Sequence, residues 1–116
     1  MQSYILATIL ALGGYAAAQK SINVQTFGSQ FDCTGPQSFN QLIPEFICQN
    51  AEVRSLQIQP GGGDSNGCFL ETYQDSNCGI YQSRIGPLSG GFSSCIGQAN
   101  PNTGELQPAF SFRLIC

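Results

Sequence analysis

The sequence contains no histidine, and this absence removes a large group of catalytic arrangements. A Ser-His-Asp triad, a Cys-His pair and histidine acid–base catalysis all depend on an imidazole. No two cysteines have the C-x-x-C spacing either, so a zinc site built from cysteine and histidine is not expected. Mechanisms that depend on histidine are therefore excluded, and zinc chemistry of this kind is not expected.

Paired carboxylates are the remaining catalytic option, and they are poorly represented. Glu71 and Asp75 are close enough in sequence to approach each other across a strand and a turn, whereas the other acidic residues are dispersed. A glycosidase holds its two acids on either side of a substrate cleft, which a small disulfide-bonded sheet rarely provides. We predict that the chain is not an enzyme and carries no cofactor.

Positive charge is scarce and scattered. The sequence has 4 Lys and Arg residues against 7 Asp and Glu residues, for a formal net charge of −3. Nucleic-acid binding and attraction to an anionic membrane both require clustered cations. Neither type of partner is therefore expected. The four basic residues are Lys20, Arg54, Arg84 and Arg113.

Long apolar runs are also missing, apart from one near the start. Tyr4 to Leu12 is apolar, and Ala16-Ala17-Ala18 has the small-residue pattern of a signal-peptide cleavage site. The run is shorter than the roughly 20 residues that span a bilayer, although a short membrane anchor is an alternative. We predict a signal peptide at 1–18 and a secreted, extracellular and monomeric domain at 19–116 with no membrane span.

Cysteine, in contrast, is abundant in that domain. An even number of cysteines in a short secreted chain indicates a disulfide framework. Because a domain of this size has a small core, such bonds contribute much of its stability. We expect all six cysteines to be paired: Cys33, Cys48, Cys68, Cys78, Cys95 and Cys116.

Short alternating segments separated by turn residues indicate an all-β fold. Ser21 to Phe27 and Ala109 to Cys116 alternate cleanly. Residues 52–59 alternate too, but Val53 and Ile58 are out of step by one, which either a bulge or two exposed apolar residues would explain. The Gly-rich segment 60–67 lacks the Lys and following helix of a phosphate-binding loop, so it is interpreted as a linker.

The two sides of this linker are similar, which indicates an internal repeat of about 22–59 and 68–116. Each half contains a strand, a turn with a cysteine, a second cysteine and a final strand. Chance similarity between two β-rich segments is the alternative. The matched positions are Val24–Phe27 with Leu70–Tyr73, Cys33 with Cys78, Cys48 with Cys95, and Ser55–Ile58 with Ser111–Leu114.

A repeat narrows the possible disulfide pairings. If the halves are homologous, equivalent cysteines should form equivalent bonds, and the two cysteines without a counterpart should pair with each other. The third bond would then hold the last strand to the first strand of the second half, where a chain end would otherwise fray. The predicted pairs are Cys33–Cys48, Cys78–Cys95 and Cys68–Cys116.

The segment Cys68 to Gly79 has the pattern C-x-L-x-T-Y-x-D-x-N-C-G, and the chain ends in S-F-R-L-x-C. These motifs resemble small cysteine-rich secreted proteins of filamentous fungi, which are often described as effector candidates. The Tyr-x-Asp-x-Asn turn is also similar to the Y-x-x-x-x-F-x-G signature of βγ-crystallin Greek-key motifs. Cys78 takes the place of the aromatic there, and Gly79 departs from the family spacing by following it directly.

These resemblances imply a disulfide-stapled β-sandwich of two Greek-key-like halves that acts by binding. The expected function is that of an effector or surface-interaction protein with an extracellular protein or carbohydrate as partner. The alternative is a killer-toxin-like or antimicrobial protein, since some of those share the βγ-crystallin fold. Against it, membrane-active toxins usually carry positive charge or a long apolar helix.

Calcium binding is a second implication of the crystallin resemblance. The matching residue types are Asp75, Asn77 and Ser93, but the loop before Ser93 lacks the Asp or Asn that the family places there. Calcium prefers six or more oxygen ligands, and few carboxylates are available. We predict that Asp75 and Asn77 close a turn and that no metal is bound.

The aromatic residues are the remaining candidates for binding. Phe110 and Phe112 alternate with polar residues in the last strand and are expected in the core. Four other aromatics lie near predicted turns, where three of them together would form an exposed patch typical of a binding surface. These four are Phe31, Phe46, Tyr81 and Phe92.

Overall fold

The computed structural model describes residues 20–59, 67–88 and 94–116. The predicted signal peptide at 1–18, most of the linker at 60–67, and the candidates Phe92 and Ser93 lie outside these ranges. Across the described ranges, no helix is long and apolar enough to cross a membrane. The strands are β1 (Ser21–Phe27), β2 (Gln37–Pro44), β3 (Gln49–Val53), β4 (Ser55–Gln59), β5 (Phe69–Tyr73), β6 (Tyr81–Ile85), β7 (Cys95–Gly97) and β8 (Ala109–Ile115).

The strands form two four-stranded antiparallel sheets, which confirms the predicted all-β sandwich. The first sheet has the order β2-β1-β4-β7, and the second has the order β3-β8-β5-β6. Their inner faces supply one shared apolar core, in which Leu56 of the first sheet and Leu70 of the second are fully buried. Phe39 and Phe112 meet edge to face across it, with ring centroids 5.1 Å apart.

The two halves of the chain correspond strand for strand. In the first half β1 pairs with β2 and β4, and in the second half β5 pairs with β6 and β8. The registers match as well, since Thr26 is opposite Leu56 and Thr72 is opposite Phe112. Both first strands have a register shift directly after this threonine. The third strand of each half, however, lies in the other half's sheet.

This exchange explains the imperfect alternation of residues 52–59. Val53 ends β3 and is opposite Ala109 in the second sheet, whereas Ser55 begins β4 and is opposite Phe27 in the first. Only Arg54 lies between them, and its backbone N–H donates to the Phe27 carbonyl at 2.8 Å. The segment is therefore two strands in different sheets rather than one bulged strand.

A buried serine anchors the cysteine-containing turn in each half. Ser55 Oγ accepts a hydrogen bond from the Cys33 backbone N–H at 2.8 Å, and Ser111 Oγ accepts one from the Cys78 N–H at 3.0 Å. Both cysteines have left-handed backbone conformations, with φ of 62° and 56°. Since residues other than glycine rarely adopt such backbone angles, the hydrogen bonds to the two serines help to hold both turns.

Two of the three predicted disulfide pairs are wrong. The structure joins Cys33 to Cys95 and Cys48 to Cys78, with Cα–Cα distances of 6.0 Å in both bonds, in place of Cys33–Cys48 and Cys78–Cys95. The reason is the strand exchange: Cys48 directly precedes β3 and Cys95 begins β7, so each is carried to the opposite half's sheet.

The bonds are still equivalent under the repeat, because each joins the turn of one half to the third strand of the other. The two halves are thus covalently tied to each other rather than internally. Cys68 is bonded to Cys116 as predicted, across the ends of β5 and β8.

The predicted burial of Phe110 is also wrong. Phe112 is fully buried, but Phe110 is 40% exposed, while its neighbours Ala109 and Ser111 are buried. The pairing of β8 with β3 is irregular at this point, since the register shifts between Asn50 and Val53. The regular in–out alternation therefore fails at the start of β8.

Candidate functional site

A groove lies where the edge strands of the two sheets approach each other. It has a volume of about 410 Å³ and is lined by all five residues of β6, by Ile96 and Gly97 at β7, and by Ala99–Pro101 in the loop that follows. We call this feature the edge groove. Its volume falls in the range of about 300–1,000 Å³ that is typical of ligand sites in proteins.

Tyr81 is the exposed aromatic of the edge groove. It begins β6 opposite Tyr73, next to a register shift, and half of its surface is accessible. An exposed tyrosine combines a large apolar face with a hydroxyl, and it loses little conformational entropy on binding. Tyr81 is therefore the side chain of the groove best suited to contact a ligand.

Two buried glutamines lie beneath the edge groove and connect its two sides. The Gln82 Nε2 group donates to the Gln107 carbonyl at 2.9 Å. The hydroxyls of Thr72 and Ser83 donate to Gln98 Oε1 at 2.6 and 3.2 Å. Both glutamines are only 1% exposed. These bonds hold the loop after β7 against β6, so the groove is a fixed feature of the fold.

The one basic residue of the edge groove, Arg84, is neutralised by its neighbour on β5. Arg84 Nε donates to Glu71 Oε2 at 2.9 Å, and its Nη2 also contacts this carboxylate oxygen. The Tyr73 hydroxyl donates to Glu71 Oε1 at 2.6 Å, and Arg113 Nη2 donates to the Tyr73 hydroxyl at 3.2 Å. Since none of the groove-lining residues is acidic, the groove has almost no net charge.

The same contacts determine the protonation of Glu71. Burial raises the pKa of its carboxyl, but the hydrogen bonds from Tyr73 and Arg84 and the positive charges of Arg84 and Arg113 outweigh burial, so the pKa lies below its ordinary value. For Tyr73, burial and the bond to Glu71 raise the pKa above the ordinary value. Glu71 is therefore ionised and Tyr73 is a neutral donor at neutral pH.

This network makes the stability of the protein depend on acidity. Because the folded-state pKa of Glu71 is depressed, its contribution is complete above the unfolded-state pKa of about 4.3 and is lost as the pH falls through the folded-state value. Glu71→Gln should lower the free energy of unfolding by about 1 kcal/mol at neutral pH.

The difference between Glu71→Gln and wild type should shrink towards zero in acid, as measured by urea unfolding across the acid range. The matched control is Glu105→Gln at an exposed loop position, which should parallel wild type throughout. A difference for Glu71→Gln that is the same at every pH would contradict the role given to its charge.

The four candidate aromatics do not all lie at one place. Tyr81 lines the edge groove, whereas Phe46 lies at the opposite edge of the same sheet, where its N–H donates to the Leu114 carbonyl at 2.8 Å. Phe31 lies in the turn after β1, with the Arg54 guanidinium 5.9 Å from its ring centroid. The described residues thus place only Tyr81 of these candidates in the groove.

Asp75, one of the calcium candidates, has a clear structural role in a turn. Asp75 Oδ1 accepts hydrogen bonds from the N–H groups of Gly79 and Ile80, at 2.9 and 3.0 Å. These hydrogen bonds from the backbones of Ile80 and Gly79 favour the charged carboxylate, so they lower the pKa of Asp75. In the part of the chain that the structure describes, no three acidic or cysteine side chains are grouped as metal ligands.

The sequence contained no signal for most of the edge groove. Gln82, Gln98 and Asn100 are common polar residues in no recognisable motif, and their proximity depends on two edge strands from different sheets. Among the residues of the groove, only Tyr81 was predicted as a binding residue, because it lies beside a turn. Edge-strand pairing is a property of the whole topology, so local patterns do not reveal it.

Comparison with known proteins adds no further assignment. The chain matches no protein-family model, no curated protein sequence and no solved structure. The function of the chain is therefore argued from the geometry of the edge groove and from the sequence.

Proposed function

We propose that the chain is a secreted binding protein without catalytic activity, which uses the edge groove to hold an extracellular partner. The observation that carries this proposal is the half-exposed ring of Tyr81 beside a nearly uncharged groove with a rigid base. Apolar and aromatic surface with few fixed polar groups is the usual composition of a binding site. A monomer suffices, since one chain supplies the whole groove.

The disulfides support an extracellular location. All six cysteines are paired, and disulfides persist in oxidising compartments rather than in the cytosol. Such a framework also supports a binding role, because a rigid groove loses little conformational entropy when it takes up a ligand. The predicted signal peptide agrees with this location.

The chemistry of the described side chains supports binding rather than catalysis. The chain has no histidine, and its cysteines are held in disulfides. The pKa values of Glu71 and Asp75 are both lowered, so neither carboxyl is adapted to act as a general acid at neutral pH. The residues that line the edge groove include no carboxylate.

We further propose that each half is a Greek-key unit of the βγ-crystallin kind and that the protein is an effector of the fungal cysteine-rich type. The position of the fourth strand beside the first in each half, next to β1 and β5 respectively, supports the Greek-key interpretation. The Cys68–Gly79 motif supports the proposal that the protein is an effector of the fungal cysteine-rich type. A growth assay distinguishes a killer-toxin-like role from the effector role.

The test compares wild type with Tyr81→Ala and with the control Leu42→Ala. Leu42 is similarly exposed, at 56%, but lies on β2 at the far edge of the first sheet. Each protein is immobilised and probed with an array of neutral oligosaccharides and with a phage-displayed library of random peptides. We expect wild type to bind a member of one of these two ligand classes, either an oligosaccharide or a peptide. Tyr81→Ala should weaken this binding about tenfold or more, and Leu42→Ala should leave it unchanged.

Equal binding by Tyr81→Ala and wild type, or no binding to either class, would overturn the proposal. The same three proteins are added to microbial cultures. Growth inhibition by wild type would favour the killer-toxin-like function over a binding role, and unaffected growth is expected.

A further inference from the structure

The edge groove has the free edge of a β-strand along one side. Among the described strands, β6 is the last of its sheet and pairs with β5 alone. Among the described residues, no backbone hydrogen bond joins β6 to the loop that follows β7. In an antiparallel pair, alternate residues direct their N–H and C=O groups away from the partner strand. All five β6 residues line the groove, so this outer edge of the strand runs along one of its sides.

The opposite side of the groove consists mostly of small and apolar residues, with Asn100 as its polar member. β7 is the edge strand of the other sheet, and Ile96, Gly97 and Ala99 line the groove there. At Gly97 the missing side chain leaves room for the Phe31 backbone, whose carbonyl oxygen would lie only 2.9 Å from a Cβ at this position. The groove therefore combines a side that offers backbone hydrogen bonds with a side that offers apolar contacts.

The described side chains of the other long edge strand, β2, are more exposed. β2 is an eight-residue edge strand whose side chains are mostly exposed. At β6, in contrast, residues at the edge of the opposite sheet line an open groove together with the strand. A strand added at β6 would thus gain side-chain contacts as well as backbone bonds, which is what gives such recognition its specificity.

The charge of the groove restricts its ligand. The Arg84 guanidinium is held by Glu71, and the chain as a whole has a formal net charge of −3. An acidic ligand would meet this unfavourable overall field, and a basic ligand would find no carboxylate among the groove-lining residues. An uncharged segment loses least on desolvation here.

We propose that the edge groove binds an extended, uncharged peptide segment of an extracellular protein, which adds as a strand to the free edge of β6 beside Tyr81. The inference rests on the proposed binding function and names its partner. Five strand residues cover about 17 Å, so a segment of about six residues fills the edge. Backbone hydrogen bonds supply affinity, and contacts with Tyr81 and Ile96 select the side chains.

The probe is a phage-displayed library of random six-residue peptides, selected on wild type and counter-selected on Tyr81→Ala. A selected peptide is then synthesised with a single N-methyl group at each position in turn. A strand directs alternate N–H groups to its partner. Methylation at every second position should therefore weaken binding about tenfold or more, and the intervening positions should have little effect.

Amide hydrogen exchange of the protein with and without the peptide locates the added strand. We expect slower exchange at alternate amides of β6 and unchanged exchange at β2. The control Leu42→Ala should bind the peptide as wild type does. Protection at β2 or β3 instead of β6, or affinity that does not depend on the position of the methyl group, would overturn the inference.

The two proposals fail in different ways. If no peptide is selected but a neutral oligosaccharide binds wild type and not Tyr81→Ala, the binding function holds and the peptide inference is wrong. If neither class binds, both are wrong.

Discussion

Replacing Cys33 and Cys95 together by alanine is expected to lower the free energy of unfolding by about 4 kcal/mol. The bond closes a loop between residues separated by 62 positions, so its loss frees a large part of the unfolded chain. A domain of this size is stable by only about 5–15 kcal/mol. Urea unfolding followed by far-UV circular dichroism measures the change, and a loss below about 1 kcal/mol would contradict it.

A matched pair of variants tests the connectivity at the same time. Cys33→Ala with Cys95→Ala breaks one bond and leaves no free thiol, whereas Cys33→Ala with Cys48→Ala breaks two bonds. The second variant should therefore have two free thiols per chain and much lower stability. The reverse order of stabilities would support the pairing that the sequence predicted.

Digestion of the unreduced wild type by trypsin provides an independent check. Cleavage after the basic residues gives fragments 21–54, 55–84, 85–113 and 114–116. With the bonds of the structure, all four remain covalently joined. A Cys33–Cys48 bond would instead release 21–54 as a separate fragment with an internal disulfide.

Phe112→Ala is expected to lower the free energy of unfolding by about 3–5 kcal/mol. Phe112 is fully buried and packs edge to face against Phe39, so truncation leaves a cavity between the two sheets. The matched control is Phe110→Ala, two residues away in the same strand. Because Phe110 is 40% exposed, its truncation should cost less than about 1 kcal/mol.

Urea unfolding of both variants, with the disulfides intact, measures the difference. Equal losses would mean that Phe110 and Phe112 are equally buried, as the alternating pattern of β8 predicts. The comparison thus separates the observed burial from the burial expected from the sequence.

Local pattern predicted the regular parts of this fold well. β1 alternates between polar and apolar residues, and its burial alternates in the same way over most of its length. The bond between Cys68 and Cys116 was predicted because these cysteines have no counterpart in the first half. In both cases, the determining contacts lie within one half of the chain.

Prediction failed where the chain changes sheets or a register shifts. Arg54 alone separates two strands of different sheets, and nothing in its neighbours distinguishes this crossing from a bulge. Phe110 is exposed where the pairing of β8 with β3 is irregular. The edge groove depends on the exchange of strands between the sheets, which places β7 at the edge of the first sheet. Tyr81 was therefore one of several equivalent candidates before the fold was known.

By itself, the sequence determined the all-β class, the two matching halves and which cysteines are equivalent, because these follow from residue periodicity and spacing. Only the tertiary structure decided that the third strands are exchanged, and with them Cys48 and Cys95. The backbone hydrogen bonds that join a strand to a sheet are largely independent of side-chain identity. The sheet to which a short strand belongs is therefore settled by packing across the whole sandwich, and the edge groove follows from that packing.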